Sequence, residues 1–370
     1  MIRDGWVRAG LVGIGAGLGA GVLGAGWHYS NMLLDTRGQL AFPERVLDAA
    51  DGQVTLARSR LAEQPGIWGL RWNDGLAVIG PVEQVRRDRV VRGLLAGPVP
   101  AAGTLAVLDA GPYDPDPGAR GLEFTEVDVP TSLGPAPAWW VPGSGDTWVV
   151  HVHGRGGARR EALRILPALH RMGLPQLVIS YRNDDCAPPS PDGHYHLGDT
   201  EWQDVQAAVR HARAAGARRI VLYAWSMGAA ISGAFLDRAP EAEAVAVVVW
   251  DAPLLDWWAT LRQQARNRRL PPALTPVAAA FARYRIGIDF DRFTLRTNPP
   301  AVRPPTLLIH STEDTAVPVA VSRDLAAAAP ALGWSVEYLE VPGVEHTASW
   351  NADPQRYEKA VSTFLRAHLG

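Results

Sequence analysis

The sequence has one cysteine, Cys186, in 370 residues. That excludes an internal disulfide and a metal site built on thiolates, although it leaves the cellular compartment open. It also lacks an excess of either charge. Thirty-six basic residues are set against 38 acidic ones, for a formal net charge of −2. No basic patch stands out to mark a nucleic-acid partner. Lysine is nearly absent, with Lys359 alone among many arginines, a bias that reads as genome composition rather than chemistry. Ala9–Trp27 carries no charge at all. That run is about long enough to span a bilayer. Its glycines at 13, 17 and 21 form a small-residue stripe suited to helix packing in a membrane. Two readings follow. One is a membrane anchor through residues 9–27, with Arg3 and Arg8 inside and the rest of the chain extracytoplasmic. The other is a signal peptide cleaved at Gly24-Ala25-Gly26, giving a secreted protein. The anchor is preferred on the length of the run.

What is abundant lies further on. Residues 35–120 read as a small β-rich domain. Trp68–Trp72 and Leu76–Ile79 flank an Asn73-Asp74-Gly75 turn, and short strands are expected at Val85–Leu95 and Gly103–Leu108. A proline-rich stretch near residues 111–118 closes this section. From about residue 121 strands and helices alternate, which predicts an α/β domain with a mostly parallel sheet covered on both faces. A helix is expected from Ala158 to Met172, kinked at Pro167, and Thr200 and Gln203 read as a capping box for the next helix. An insert from about Leu254 to Arg303 interrupts the alternation.

In such sheets, reactive groups gather at the carboxyl ends of strands. Ile220–Tyr223 runs into Ala224-Trp225-Ser226-Met227-Gly228, a strand-to-helix turn that pushes a serine forward and needs small residues two before and two after it. Asp314 and His346 follow the ends of later strands. Serine needs a base, His346 can take and return its proton, and Asp314 can hold that imidazole in one tautomer. Asp251 also ends a strand and is the competing acid. The Met227 N–H is one candidate oxyanion donor. The glycine-rich loop His153-Gly154-Arg155-Gly156-Gly157 offers a second, taken as Arg155 with Gly154 or Gly156 as alternatives. His153 is expected to brace that loop. Trp225, Trp257 and Trp258 are candidate substrate-pocket residues, with the core as their alternative place. The pairs His151/His153 and His194/His196 lack the further ligands of a metal site. Asp184 and Asp185 read as a solvated loop or a substrate contact.

Taken in chain order, His153–Gly157, Ala224–Gly228, Ile309–Pro318 and Gly343–His346 resemble the serine α/β-hydrolases, the resemblance running over residues 122–368. The resemblance implies an eight-stranded fold, a cap between the sixth and seventh strands (here residues 254–303), no cofactor, and hydrolysis through an acyl-serine. An ester is the expected substrate. Peptides, thioesters and acyl transfer are alternatives, as is a catalytically inactive binding protein. The departure from the family pattern is Ala224 in place of glycine.

Overall fold

The computed structural model describes residues 21–37, 42–111 and 114–370. The described chain begins in a helix, α1, over residues 21–34. Residues 9–20 of the expected membrane segment lie outside the described residues. Among the described residues, no helix is long and apolar enough to cross a membrane.

Six strands follow: β1 (Glu44–Ala50), β2 (Gln53–Ala57), β3 (Trp68–Trp72), β4 (Gly75–Val85), β5 (Arg89–Ala96) and β6 (Leu105–Asp109). They close into a barrel in the order β1-β2-β5-β4-β3-β6. The hairpin turns where expected, with Trp72 paired to Gly75 across Asn73-Asp74. Within the stretch Val85–Leu95, strand forms as expected from Arg89 on, as β5, while Val85 belongs to the strand before it. Val85 ends β4 and pairs with Val90 of β5, so the chain reverses between them. Alternate residues such as Val54, Leu56, Leu70 and Val90 fill the barrel and are fully buried. Arg92 is also fully buried there. Its guanidinium donates to the carbonyls of Gly80, Ala62, Gln64 and Gly66 at 2.6–3.0 Å, which fixes the loop before β3.

The second unit is an eight-stranded mixed sheet in the order β14-β13-β12-β11-β9-β10-β8-β7. The strands are β7 (Thr125–Thr131), β8 (Gly134–Val141), β9 (Thr147–Val152), β10 (Gln176–Ile179), β11 (Arg219–Trp225), β12 (Val245–Asp251), β13 (Thr306–Ser311) and β14 (Val336–Val341). From β10 through β14 the pairings are parallel, while β8 runs antiparallel to both β10 and β7. β9, β10 and β13 are buried along their whole length, as strands covered on both faces must be. Helices α3 (Trp202–Ala214) and α4 (Met227–Arg238) cover one face. Helices α2 (Leu166–His170) and α9 (Pro354–Leu369) cover the other, where they share a core with the barrel.

Two local expectations fail for identifiable reasons. The helix expected from Ala158 is a 3₁₀ turn (Arg159–Arg164) followed by α2, because Pro167 sits in the first turn of a new helix. The capping box at Thr200 does not form. Glu201 turns its carboxylate back instead, to accept from the His196 and Gly198 N–H groups at 2.7 and 2.9 Å. The insert between β12 and β13 folds as α5 (Trp257–Asn267), α6 (Leu274–Ile286) and a 3₁₀ turn (Phe290–Phe293).

Candidate active site

Ser226 sits between β11 and α4 with φ 51° and ψ −120°. A non-glycine residue in that region is strained. The turn survives because its neighbours are small. A Cβ on Gly228 would lie 2.2 Å from the Val152 carbonyl oxygen, so no larger residue fits. Ala224 is fully buried beside β9, where its single methyl group is accommodated. Ser226 Oγ stands 2.8 Å from His346 Nε2, and His346 Nδ1 stands 2.6 Å from Asp314 Oδ2. The three residues singled out in the sequence therefore form one continuous relay.

Asp314 is completely enclosed and fully satisfied. Its Oδ1 accepts from the Ala316 and Val317 N–H groups, both at 2.8 Å, and its Oδ2 also meets His310 Nε2 at 3.1 Å. Burial alone would raise its carboxyl, but His346 and His310 outweigh burial and hold it well below the usual range. His346 shows the mirror image. Burial pushes it down, while the charge of Asp314 and the hydrogen bond to it carry the net value above 6.5. Asp251, the competing acid, is elsewhere. Its Oδ2 accepts from the Tyr357 hydroxyl at 2.9 Å, and burial pushes it up to about 6.

The glycine-rich loop lies against the nucleophile. A Cβ on Gly154 would be 2.9 Å from Ser226 Cβ. The Gly154 N–H is already committed to Glu161 Oε2 at 2.7 Å, which removes it from the alternatives for the oxyanion site. Arg155 and Met227 both line the cavity in front of Ser226. His153 braces the loop as expected, with Nδ1 on the Gly154 carbonyl at 2.7 Å and Nε2 on Asp184 at 2.8 Å. Burial disfavours its charge, but Asp184 raises it overall. Asp184 is thus neither a solvated loop residue nor placed at the cavity. Its side chain is enclosed against His153 and accepts from the Tyr181 N–H at 3.0 Å.

The cavity measures about 410 Å³ and opens at Ser226 and His346. Most of its lining is apolar, including Leu254, Leu261, Leu274 and Val317. Of the three tryptophans proposed for it, only Trp257 lines it, held by its Nε1 donating to the Leu197 carbonyl at 3.0 Å. Trp225 stacks on Tyr223 and His151 behind the sheet, because residues two apart on a strand share a face. Trp258 points away to Phe290 and Asp291. The cap is tied to the acid loop: Gln263, Gln264 and Asn267 of α5 donate to the carbonyls of Asp314, Thr315 and Ala316 at 2.7–3.2 Å. His151 is held by Gln176 and His196 by Asp192. Among the described residues no group of three His, Cys, Asp or Glu side chains is arranged as for a metal ion.

Sequence reasoning missed the supports. Glu161 holds the glycine-rich loop by accepting from the Gly154 N–H. Arg164, one turn later, donates to the Thr347 carbonyl beside His346 at 2.5 Å. Glu345 accepts from the Thr315 and His346 N–H groups and pairs with Arg60 of the barrel unit. The Glu345 N–H donates to Gln64 at 2.8 Å. The barrel unit therefore supports the histidine loop directly. The only sequence signal was the presence of acidic and basic residues next to the motifs.

Comparison with known proteins gives two family matches. The prolyl oligopeptidase family model matches residues 191–370, just under half of the chain, and a domain of unknown function (DUF8805) matches residues 45–109. No curated protein matches the sequence. The Pyrococcus furiosus esterase Pf2001 is similar in structure, with TM-score 0.56 and 20% identity, over 70% of this chain and 97% of that one. An alpha-beta hydrolase from Vibrio vulnificus is similar with TM-score 0.51 and 19% identity, over 66% of this chain and 82% of that one. The family match supports a serine hydrolase, and these likenesses show that the larger unit has the α/β-hydrolase fold.

Proposed function

We propose that the protein is a serine esterase that cleaves carboxylic esters with an apolar acyl group. The observation that carries this reading is the Ser226–His346–Asp314 relay, at 2.8 and 2.6 Å, opening into a largely apolar cavity. His346 Nε2 takes the proton as Ser226 Oγ attacks the ester carbonyl, and Asp314 stabilises the imidazolium that results. The N–H groups of Met227 and Arg155 receive the oxyanion. His346 then returns the proton to the leaving alcohol. Water, activated by the same imidazole, clears the acyl group from Ser226.

A peptidase is the second reading, supported by the family match over residues 191–370. The cavity lining weighs against an aminopeptidase, because among the described residues that line it there is no Asp or Glu to hold an α-ammonium group. A fluorophosphonate probe tests the enzyme reading: wild type should label and Ser226→Ala should not. Equal labelling of the two would leave only the binding-protein alternative. Short p-nitrophenyl esters set against aminoacyl anilides then divide esterase from peptidase.

Attachment to a membrane, with the catalytic unit extracytoplasmic, belongs to the same proposal. It is supported by the charge-free run Ala9–Trp27 behind Arg3 and Arg8. Its test is fractionation of the full-length chain, which refutes it if the intact protein stays in the soluble fraction.

A further inference from the structure

The expected anchor, residues 9–27, overlaps only the first half of α1, and from Gly26 onward the helix is built into the hydrolase unit. Gly26, Ser30 and Leu34 are buried, and they recur every four residues along one helical face. Gly26 is close-packed on α6. A Cβ there would fall 2.5 Å from Val277 Cγ1 and 3.3 Å from Phe281. Trp27 meets Phe281 edge to face at 5.5 Å. Arg285 of α6 donates to Ser30 Oγ and Asn31 Oδ1 at 2.9 and 2.5 Å.

The other end of the helix is fixed by the oxyanion loop itself. The Arg155 guanidinium donates to the carbonyls of Met32 and Asp35 at 2.8 and 2.9 Å. Those carbonyls lie in the last turn of α1 and just beyond it, where a helix leaves acceptors unpaired and favours a cation. The Leu34 carbonyl accepts from the Tyr195 N–H at 3.1 Å. The helix is thus clamped between the cap and the loop that carries the candidate oxyanion donor, and Tyr29, Met32 and Leu33 face the cavity.

We infer that α1 forms one wall of the acyl pocket and that Tyr29 and Leu33 set the length of acyl chain the enzyme accepts. This rests on the esterase reading of Ser226. An apolar pocket discriminates by roughly ten- to 200-fold per methylene that it fits or excludes. A bulkier residue on α1 therefore shortens the accepted chain, and a smaller one lengthens it.

The test uses the full-length chain with p-nitrophenyl acetate, butyrate, octanoate and decanoate, beside fluorophosphonate labelling of each variant. Leu33→Trp should lower the ratio of octanoate to acetate kcat/KM at least tenfold. Tyr29→Ala should move the optimum toward decanoate. Leu23→Ser, on the exposed side of the same helix, should leave the profile of wild type. Labelling in all three with shifted profiles only in the first two supports the inference. Labelling with unchanged profiles in Tyr29→Ala overturns it, whatever becomes of Leu33→Trp. Loss of labelling in wild type as well would sink the esterase reading instead, so the two failures are distinguishable.

Discussion

Replacing Asp314 by asparagine should abolish turnover while leaving the fold intact, for a reason specific to this carboxylate. Four donors face it. Two are the backbone N–H groups of Ala316 and Val317 on Oδ1, and two are imidazole nitrogens on Oδ2. The backbone donors cannot change role. The single oxygen of the amide must therefore take the Oδ1 position, which turns its NH₂ toward His346 Nδ1. That nitrogen then has to accept, which places the proton on Nε2, the atom that must receive the proton of Ser226. A triad held in the wrong tautomer loses about four powers of ten in kcat, or roughly 5 kcal/mol of transition-state stabilisation. The melting temperature should change little, since both backbone bonds persist. Asp314→Ala differs: two buried N–H groups lose their acceptor at roughly 1–3 kcal/mol each, so it should be destabilised as well as inactive. The assay is kcat/KM for a short p-nitrophenyl ester, with thermal melting of each variant alongside. Asp251→Asn is the control, expected to stay within about tenfold of wild type. If Asp314→Asn keeps more than a tenth of the activity, or if Asp251→Asn is the variant that dies, Asp314 is not the acid of this site.

Three further outcomes follow from the same geometry. The acid limb of kcat/KM against pH reports the free enzyme's base, and Asp314 holds His346 above 6.5, so the limb's midpoint should lie above pH 6.5. A midpoint near 6 would show that burial wins over the Asp314 charge. Asp251 titrates near 6 when folded against about 3.9 unfolded, so its ionisation costs stability. That cost grows as pH rises from about 4 through 6, reaching at most about 3 kcal/mol above it. Urea midpoints of wild type should therefore fall between pH 5 and 8, and those of Asp251→Asn should fall less; equal slopes would refute the assignment. Glu161→Ala frees the Gly154 N–H and loosens the oxyanion loop, so kcat should drop about ten- to a hundredfold with KM little changed. Glu161→Gln keeps an acceptor and should recover most of the rate; equal loss in both would indicate a role for the charge rather than for the hydrogen bond.

What could be read from the sequence was what is written locally. A strand ending in small residues around a serine, or in an Asp or His before a loop, carries its geometry in a few adjacent positions, and the sheet brings those ends together. Trp225 was equally readable, and of its two expected places, pocket or core, it takes the core. It shares a strand face with Tyr223, and that spacing places it behind the sheet rather than in front of it. The contribution of the barrel unit could not be read, because it is made by Gln64 reaching a backbone N–H 281 residues away, and no local pattern encodes such a contact.

The N-terminal helix shows a different limit. Glycine and apolar residues without charge let one helix lie close against another, and that holds for a bilayer and for the cap of a hydrolase alike. The two settings diverge only where the partner is known. Here Gly26 meets Val277 and the last turn of the helix meets Arg155, so residues 26–35 pack on the hydrolase unit, and Tyr29, Met32 and Leu33 among them line the cavity. If the membrane attachment proposed above holds, a long-chain ester held in the lipid phase is concentrated near the enzyme. Activity on a long-chain ester should then rise when the full-length protein is reconstituted in vesicles rather than detergent, while activity on acetate should not. A parallel response of both esters would separate the anchor from the pocket.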